Sequence, residues 1–196
     1  AGGHKLTVHG RIEVNEGNSL TIYGQSSAGD KLVVNNSSGN AGIGGCNGCS
    51  SGSITINGGT VTAASEGDSA GIGGTTNSIL SGNGDATIET SGIMGNTENF
   101  VGTINGITYY GIIVNGVQVT TVNKSNVLPN NQNGKVSYNA DTNVLTIDGF
   151  LGDLLNPVTT VISGNGSTDI VLNDGGSFTA VGLTVTNAKN VTVTTN

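Results

Sequence analysis

Cys46 and Cys49 are the only cysteines of the chain, in the run Cys46-Asn47-Gly48-Cys49. This spacing serves a zinc half-site, a redox motif or a local disulfide. Zinc would need two more soft ligands, and His4 and His9 are distant in sequence. A redox role would use a helix N-terminus to activate the thiol, and no helix is predicted. In an exported chain we favour a disulfide over free thiols, and its short loop would stabilise a corner more than the fold.

Acidic residues are the second group with chemical potential, because paired carboxylates hydrolyse glycosides and clustered ones bind Ca²⁺. They are spread through loops and strand ends, which favours solvated acids: Asp30, Glu66, Asp68, Asp85, Asp141, Asp148, Asp153, Asp169 and Asp174. Ca²⁺ is the one cofactor considered, at Glu66-Gly67-Asp68 and Asp85. It takes six to eight oxygens, and no such ligand run appears, so we predict no cofactor and no metal site.

Bases for lyase chemistry are scarce. Proton abstraction beside a uronate needs a strong base and neutralised charge, and Arg11 is the only arginine. His4 and His9 are an odd number of positions apart, so a strand would point them to opposite faces. We therefore expect no catalytic residue and no enzyme.

Aromatic residues that could stack on a sugar are few, since the chain has four Tyr, three Phe and no Trp. Tyr23, Tyr109 and Tyr110 are the candidate carbohydrate contacts. Tyr109 and Tyr110 would face opposite sides of a strand. Any further contact would use rows of Thr, Asn and Ser, for which solvated Thr ladders are the favoured interpretation.

A strand phrase with a central threonine recurs through the chain and indicates the elements that must position these residues. Its copies are Leu20-Thr21-Ile22, Ile54-Thr55-Ile56, Ala86-Thr87-Ile88 and Leu145-Thr146-Ile147. The first two intervals between the threonines are nearly equal and the third is almost double, which predicts one, one and two turns of a solenoid. Alternation sends the two outer residues to the core and Thr to solvent.

Two further phrases recur, and the first of them does so after about one turn. Ala41-Gly42-Ile43-Gly44-Gly45 returns at 70–74, and Asn57-Gly58-Gly59-Thr60-Val61-Thr62-Ala63 returns, with one insertion, at 173–180. Asn-Gly steps favour hairpins in isolation, but the repeats favour corners between strands. We predict an all-β fold, a right-handed parallel β-helix (solenoid) with turns of about thirty residues. An antiparallel β-sandwich or barrel is the alternative.

The pattern changes at residue 106, where a nearly continuous β-rich stretch is followed by the polar segment 123–133. We predict two modules. Residues 1–105 form β-helix turns that carry the two phrases above, and residues 106–196 form a continuing β-helix module stacked on the first.

The run Gly52 to Ala63, bracketed by the two Ala-Gly-Ile-Gly-Gly phrases, resembles repeats of β-helical surface proteins of Gram-positive bacteria. The stretches Val114 to Thr120 and Lys135 to Ile147 resemble a second element of the same proteins. The resemblance covers about half the chain. It implies pectate-lyase-like architecture, in some members described as carbohydrate-binding domains, and supplies no catalytic residues.

The net charge and the lack of a long apolar segment argue against some classes of partner. Six Lys and Arg against 13 Asp and Glu give a net charge of −7, which disfavours nucleic acid. No run of about twenty apolar residues exists, so we expect no membrane insertion. A start at Ala1 matches a mature form without its signal peptide, or a trimmed chain. We expect an extracellular or cell-surface location.

Two functions fit this picture. We rank first a non-catalytic structural or adhesive protein that self-associates into fibres through its uncapped ends, since neither Leu6-Thr7-Val8 nor Val191-Thr192-Val193 carries an obvious polar cap. The alternative is a polysaccharide-binding module.

Overall fold

The protein is built of strands and turns. The structure, a computed structural model, describes residues 3–24, 30–67, 69–74, 79–82, 86–97, 100–131, 134–149, 159–173 and 182–194, and these contain no helix. In particular, no helix among them could cross a membrane. The prediction of an all-β fold with parallel sheets is confirmed.

The chain divides into two compact units, Ala1–Thr108 and Tyr109–Asn196. The boundary predicted from the sequence lies three residues before this division. The strands of the first unit are β1 Lys5–His9, β2 Ile12–Glu13, β3 Ser19–Tyr23, β4 Lys31–Asn36, β5 Ile43–Gly44, β6 Ser53–Asn57, β7 Gly59–Ser65, β8 Ile72–Gly73, β9 Ile79–Gly82, β10 Ala86–Thr90, β11 Ile93–Met94 and β12 Val101–Ile104.

Most strands of the first unit pair in parallel with strands about one phrase interval later in the chain. One sheet has the order β1-β4-β7-β10-β12, a second β2-β5-β8-β11, and a third β3-β6-β9. Leu6 of β1 pairs with Leu32 of β4, and Leu20 of β3 pairs with Ile54 of β6. Each pairing aligns apolar residues with apolar residues, which fixes the register because a slip of one residue would turn them to solvent.

The Ala-Gly-Ile-Gly-Gly phrases lie in the sheet with the shortest strands, β2-β5-β8-β11, which we call the narrow sheet. Ile43 pairs with Ile72 and Gly44 with Gly73. Equivalent residues of the two phrases are therefore directly paired on neighbouring strands. A Cβ added to Gly44 would collide with the carbonyl oxygen of Gly73, and Gly44 has a φ of 138°. Glycine is required here because the backbones approach too closely for a side chain.

The four threonine phrases do not form one row, which corrects the count of turns made from the sequence. Thr21 pairs with Thr55, as expected, but Thr55 pairs next with Ser81. Thr87 lies in another sheet and pairs with Thr60. The alternation of apolar and hydroxyl residues is common to strands of different sheets, so it cannot tell one sheet from another.

The second unit contains two sheets. Its strands are β13 Ile107–Val114, which begins two residues before the division, β14 Val117–Thr120, β15 Gly134–Asn139, β16 Val144–Gly149, β17 Thr160–Ser163, β18 Asp169–Asn173, β19 Leu183–Thr186 and β20 Asn190–Thr194. One sheet has the order β14-β13-β17-β19 and the other β15-β16-β18-β20. β17 is parallel to β19, and β16, β18 and β20 are parallel to one another.

Antiparallel pairs also occur in this unit, and one corrects a sequence prediction. β13 pairs with β14 in an antiparallel hairpin closed by Asn115-Gly116, both with positive φ. Two left-handed residues give the turn whose twist matches an antiparallel pair, so this Asn-Gly step is a hairpin rather than a corner between sheets. β15 and β16 are likewise antiparallel. The second copy of the Asn-Gly-Gly phrase lies outside the described residues beyond Asn173.

Each unit buries its own aliphatic core. Ile43, Ile54, Ile56, Ile72 and Ile88 are inaccessible or nearly so in the first unit. The second core is built mainly from the inward residues of β13 to β18: Ile112, Val114, Val119, Val127, Val136, Tyr138, Leu145, Ile147, Ile162, Ile170 and Leu172.

Gly44→Ala tests the close backbone approach. We expect the free energy of unfolding to fall by about 3 kcal/mol or more, because strained φ and overpacking each cost roughly 1–3 kcal/mol. Gly92→Ala is the control, since its added Cβ would have Ala70 Cα, at 3.9 Å, as its nearest neighbour. Urea denaturation measures both. Equal stability of the two variants would contradict the requirement for glycine at 44.

Candidate functional site

One exposed surface of the first unit is the outer edge of β1, β2 and β3, which we call the β1–β3 edge. Each of these strands is the outermost of its sheet, and no described residue pairs with its outer side as a further strand. Leu6 is 63% exposed although its partner Leu32 is half-buried. A core-facing residue is exposed here because its sheet has no further strand on this side among the described residues.

The β1–β3 edge is concave. A cavity of about 500 Å³ opens there, and its apolar wall includes Leu6, Ile12, Ile22, Leu32 and Val61. Burial of open apolar surface of this kind against a partner would release water.

A corresponding surface in the second unit is the outer edge of β19 and β20, which we call the β19–β20 edge. These strands are outermost in their sheets among the described residues. All of β20 is exposed, Val193 at 62%, although its partners Ile170 and Leu172 on β18 are buried. Leu183 on β19 is also exposed. This edge, too, leaves core-facing aliphatic side chains in solvent.

The three candidate sugar contacts do not lie in one place. Tyr23 ends β3 and is 79% exposed. Tyr110 contacts the core of the second unit, with its ring centroid 4.7 Å from that of Tyr138. Tyr109, next to it, is also half-buried. Of the three, Tyr23 alone is largely exposed.

Polar side chains adjoin Tyr23 on the outward face of β3, β6 and β9, the Tyr23 face. Tyr23 is in register with Asn57, and Thr21 with Thr55 and Ser81. The Oγ1 of Thr55 and the Oγ of Ser81 are 2.9 Å apart. An aromatic ring beside a row of hydroxyl and amide groups can stack on a sugar ring and hydrogen-bond its hydroxyls.

Glu89 is held by two neighbouring strands on the outer face of the largest sheet of the first unit. Thr62 Oγ1 donates to its Oε2 at 3.0 Å, and Lys31 Nζ does so at 3.3 Å. The Thr62 hydrogen bond, followed by the hydrogen bond and charge of Lys31, holds the pKa of Glu89 below its ordinary value. The Glu89 carboxylate is therefore engaged in contacts with the two neighbouring strands.

The structure joins Cys46 to Cys49 by a disulfide. The pair closes a turn between β5 and β6 in which Cys49 N donates to Cys46 O at 3.0 Å. The bond therefore clips one corner, as the short loop predicts.

The remaining sequence candidates stay apart. His4 lies beside Asp30, with Nδ1 and Oδ1 3.6 Å apart, whereas His9 is on β1. Arg11 is paired with Glu13 at 2.7 Å. The residues that the structure describes contain no group of three or more His, Cys, Asp or Glu that could hold a metal ion. Asp68, Asp85, Asp153 and Asp174 lie outside them, so what the sequence predicts about calcium at Asp68 and Asp85 stays a prediction.

Sequence reasoning identified the phrases around Leu6 and Val193 but missed Leu183, Ile12 and the pairing of Lys31 with Glu89. Lys31 and Glu89 are far apart in the chain, and no local signal connects them. Leu183 follows the apolar-Thr alternation and could have been included on that pattern.

An NMR titration of the Glu89 carboxyl tests the outer-face contacts. We expect its pKa below the ordinary 4.5 in the wild type. Thr62→Val and Lys31→Met should each raise it, since the first removes the largest single cause and the second removes both a hydrogen bond and a charge. Because the folded-state pKa is lowered, the contribution to stability exists above the ordinary pKa and disappears as pH falls through the folded-state value. An unshifted wild-type pKa would contradict these contacts.

Comparison of the chain with protein-family models, curated proteins and solved structures found no match. The resemblance to β-helical surface proteins therefore remains an expectation from the sequence. The two edges and the Tyr23 face are the surfaces on which a function can be argued.

Proposed function

We propose that this chain is a non-catalytic structural or adhesive protein of the cell surface or extracellular space, a right-handed parallel β-helix that self-associates through its β1–β3 and β19–β20 edges. The observation that carries the proposal is the exposure of core-facing aliphatic residues on both edges, with Leu6 at 63% and Val193 at 62%.

Register supports the β-helix. Strands of three sheets meet parallel partners after chain intervals of similar length, as Leu6 with Leu32 and Leu20 with Ile54 do. A chain that returns to each sheet after about thirty residues matches one turn of a solenoid. Crossover connections between parallel strands are almost always right-handed, so we propose a right-handed β-helix.

Backbone chemistry supports self-association. An outermost parallel strand presents unpaired N–H and C=O groups, which template another strand unless they are covered. Here the same edges also expose aliphatic side chains, so strand addition would satisfy hydrogen bonds and bury apolar area together. The disulfide between Cys46 and Cys49 agrees with a location outside the cell.

Analytical ultracentrifugation of the purified chain tests the proposal. We expect mass to grow with concentration beyond the 19.4 kDa monomer, and elongated polymers in negative-stain micrographs. The double variant Leu6→Lys, Val193→Lys should remain monomeric, because each lysine would have to be desolvated in the contact.

Val117→Lys, Val122→Lys is the matched control, since it adds the same charge at two exposed valines that belong to neither edge. It should polymerise like the wild type, and circular dichroism should show that all variants fold. A wild-type chain that stays monomeric at every concentration reached would refute self-association.

Polysaccharide binding is the second candidate, and the exposure of Tyr23 beside Thr21, Thr55 and Asn57 favours it. The ring would stack on a sugar, and the neighbouring hydroxyl and amide groups would give weak hydrogen bonds. Such a face would serve adhesion to a cell-wall or host glycan.

A glycan array with wild-type protein and the Tyr23→Ala variant tests this candidate. We expect Tyr23→Ala to lower affinity about five- to thirtyfold, since loss of a stacking ring costs of order 1–2 kcal/mol. Tyr109→Ala is the control and should keep most binding. Absence of binding by the wild type, or an equal loss in both variants, would count against the Tyr23 face.

A further inference from the structure

We infer that copies of this chain join head to tail: the β1–β3 edge of one copy receives the β19–β20 edge of the next. The inference rests on the proposed self-association and adds its polarity. The alternative is a two-fold contact between two identical edges. Side-chain rows, shape and charge decide between the two arrangements.

The β1–β3 edge presents two rows of core-facing aliphatics. Leu6 and Val8 on β1 stand in register with Leu32 and Val34, and Val34 is fully buried. On β3, Leu20 and Ile22 stand in register with Ile54 and Ile56, which are also buried. Both rows therefore point to the side of the sheet where the core lies.

The β19–β20 edge presents the same arrangement. Val191 and Val193 on β20 stand in register with the buried Ile170 and Leu172. On β19, Leu183 and Val185 stand in register with the buried Thr160 and Ile162. Each edge thus offers two strands with a pair of core-facing aliphatics at i and i+2, which is the pattern that each unit already uses between its own parallel strands.

Shape favours unlike edges. The β1–β3 edge contains a cavity of about 500 Å³, whereas Val193, Val191 and Leu183 are exposed side chains on strands with no outer neighbour among the described residues. Two β1–β3 edges face to face would enclose two cavities, and unfilled apolar space forfeits packing contacts. The aliphatic side chains of the β19–β20 edge would fill it.

Charge favours the same choice. β1 carries Lys5 and His9 with no acid, and Lys5 stands beside Lys31 in the register with β4; the acids Glu13 of β2 and Glu89 are already paired with Arg11 and Lys31. A second β1–β3 edge would add its own lysines to this sheet, and like charges on adjacent strands destabilise pairing. β19 and β20, with the sequences LTVT and NVTVT, carry no charged residue, so their polar groups at the contact are only Thr and Asn.

Strand direction distinguishes the outcomes. A two-fold contact between identical edge strands is antiparallel, whereas the pairs at these edges, β1 with β4, β3 with β6, β17 with β19 and β18 with β20, are all parallel. A contact between unlike edges can continue the parallel arrangement. Being heterologous, it gives open filaments or rings instead of closed dimers.

A complementation experiment tests the polarity. Leu6→Lys blocks only the β1–β3 edge, and Val193→Lys blocks only the β19–β20 edge. At a concentration where wild-type protein polymerises, each variant alone should be monomeric by sedimentation, and an equimolar mixture should form a dimer of twice the monomer mass and nothing larger. Formation of that dimer also shows that both variants fold, because each must contribute an intact edge.

Other outcomes overturn the inference. Dimers of Val193→Lys alone would indicate that two β1–β3 edges meet, and dimers of Leu6→Lys alone would indicate that two β19–β20 edges meet. Polymers in either single variant, or monomers in the mixture, would place the contact elsewhere. A second pair, Leu6→Asp and Val191→Asp, should repeat the result with the opposite charge. A monomeric wild type would instead refute the self-association on which the inference rests.

Discussion

Parallel pairing in register, with aliphatic side chains aligned on the core side, is the constraint on which the rest of the structure depends. Ile54 pairs with Leu20 on one side and Leu80 on the other, and all three are buried or half-buried. Each strand's apolar face is covered only because its neighbours carry apolar residues at the same level. At β1, β19 and β20, which have no outer neighbour among the described residues, core-facing residues such as Leu6, Leu183 and Val193 are left in water.

Glycine makes the narrow sheet compatible with this pairing. The pairs Ile43 with Ile72 and Gly44 with Gly73 alternate a buried aliphatic residue with a position that tolerates no Cβ. The isoleucines supply apolar burial, and the glycines let the strands approach. Corners are held by side chains instead, as when Asn36, almost fully buried, donates to Asn40 O and accepts from Ser38 N. Such an amide substitutes for backbone partners where the chain leaves a strand.

The exposed side chains of the described residues agree with a protein that functions by binding at its surface. Its charged groups form pairs, as Arg11 with Glu13 and Lys31 with Glu89, and His4, Asp30 and Lys31 also line the cavity of the β1–β3 edge. Half of the large apolar side chains exposed among the described residues lie on the strands of the two edges: Leu6, Tyr23, Leu183, Val191 and Val193. Tyr23 belongs to β3 and lines the cavity of the β1–β3 edge, so association with another copy and adhesion to a glycan would compete for this part of the surface.

The sequence by itself determined the all-β class, the parallel pairing at Ile43 and Ile72, and the strands around Thr21 and Thr55, because alternation and glycine spacing are local and repeat at the interval of the pairing. Only the tertiary structure assigned Thr87 to a different sheet and made Asn115-Gly116 a hairpin, since several sheets share one alternation and a turn type depends on which strands it joins. It also paired Lys31 with Glu89 and placed Tyr110 against Tyr138 while leaving Tyr23 exposed. Such contacts join residues far apart in the chain, and no local pattern carries them.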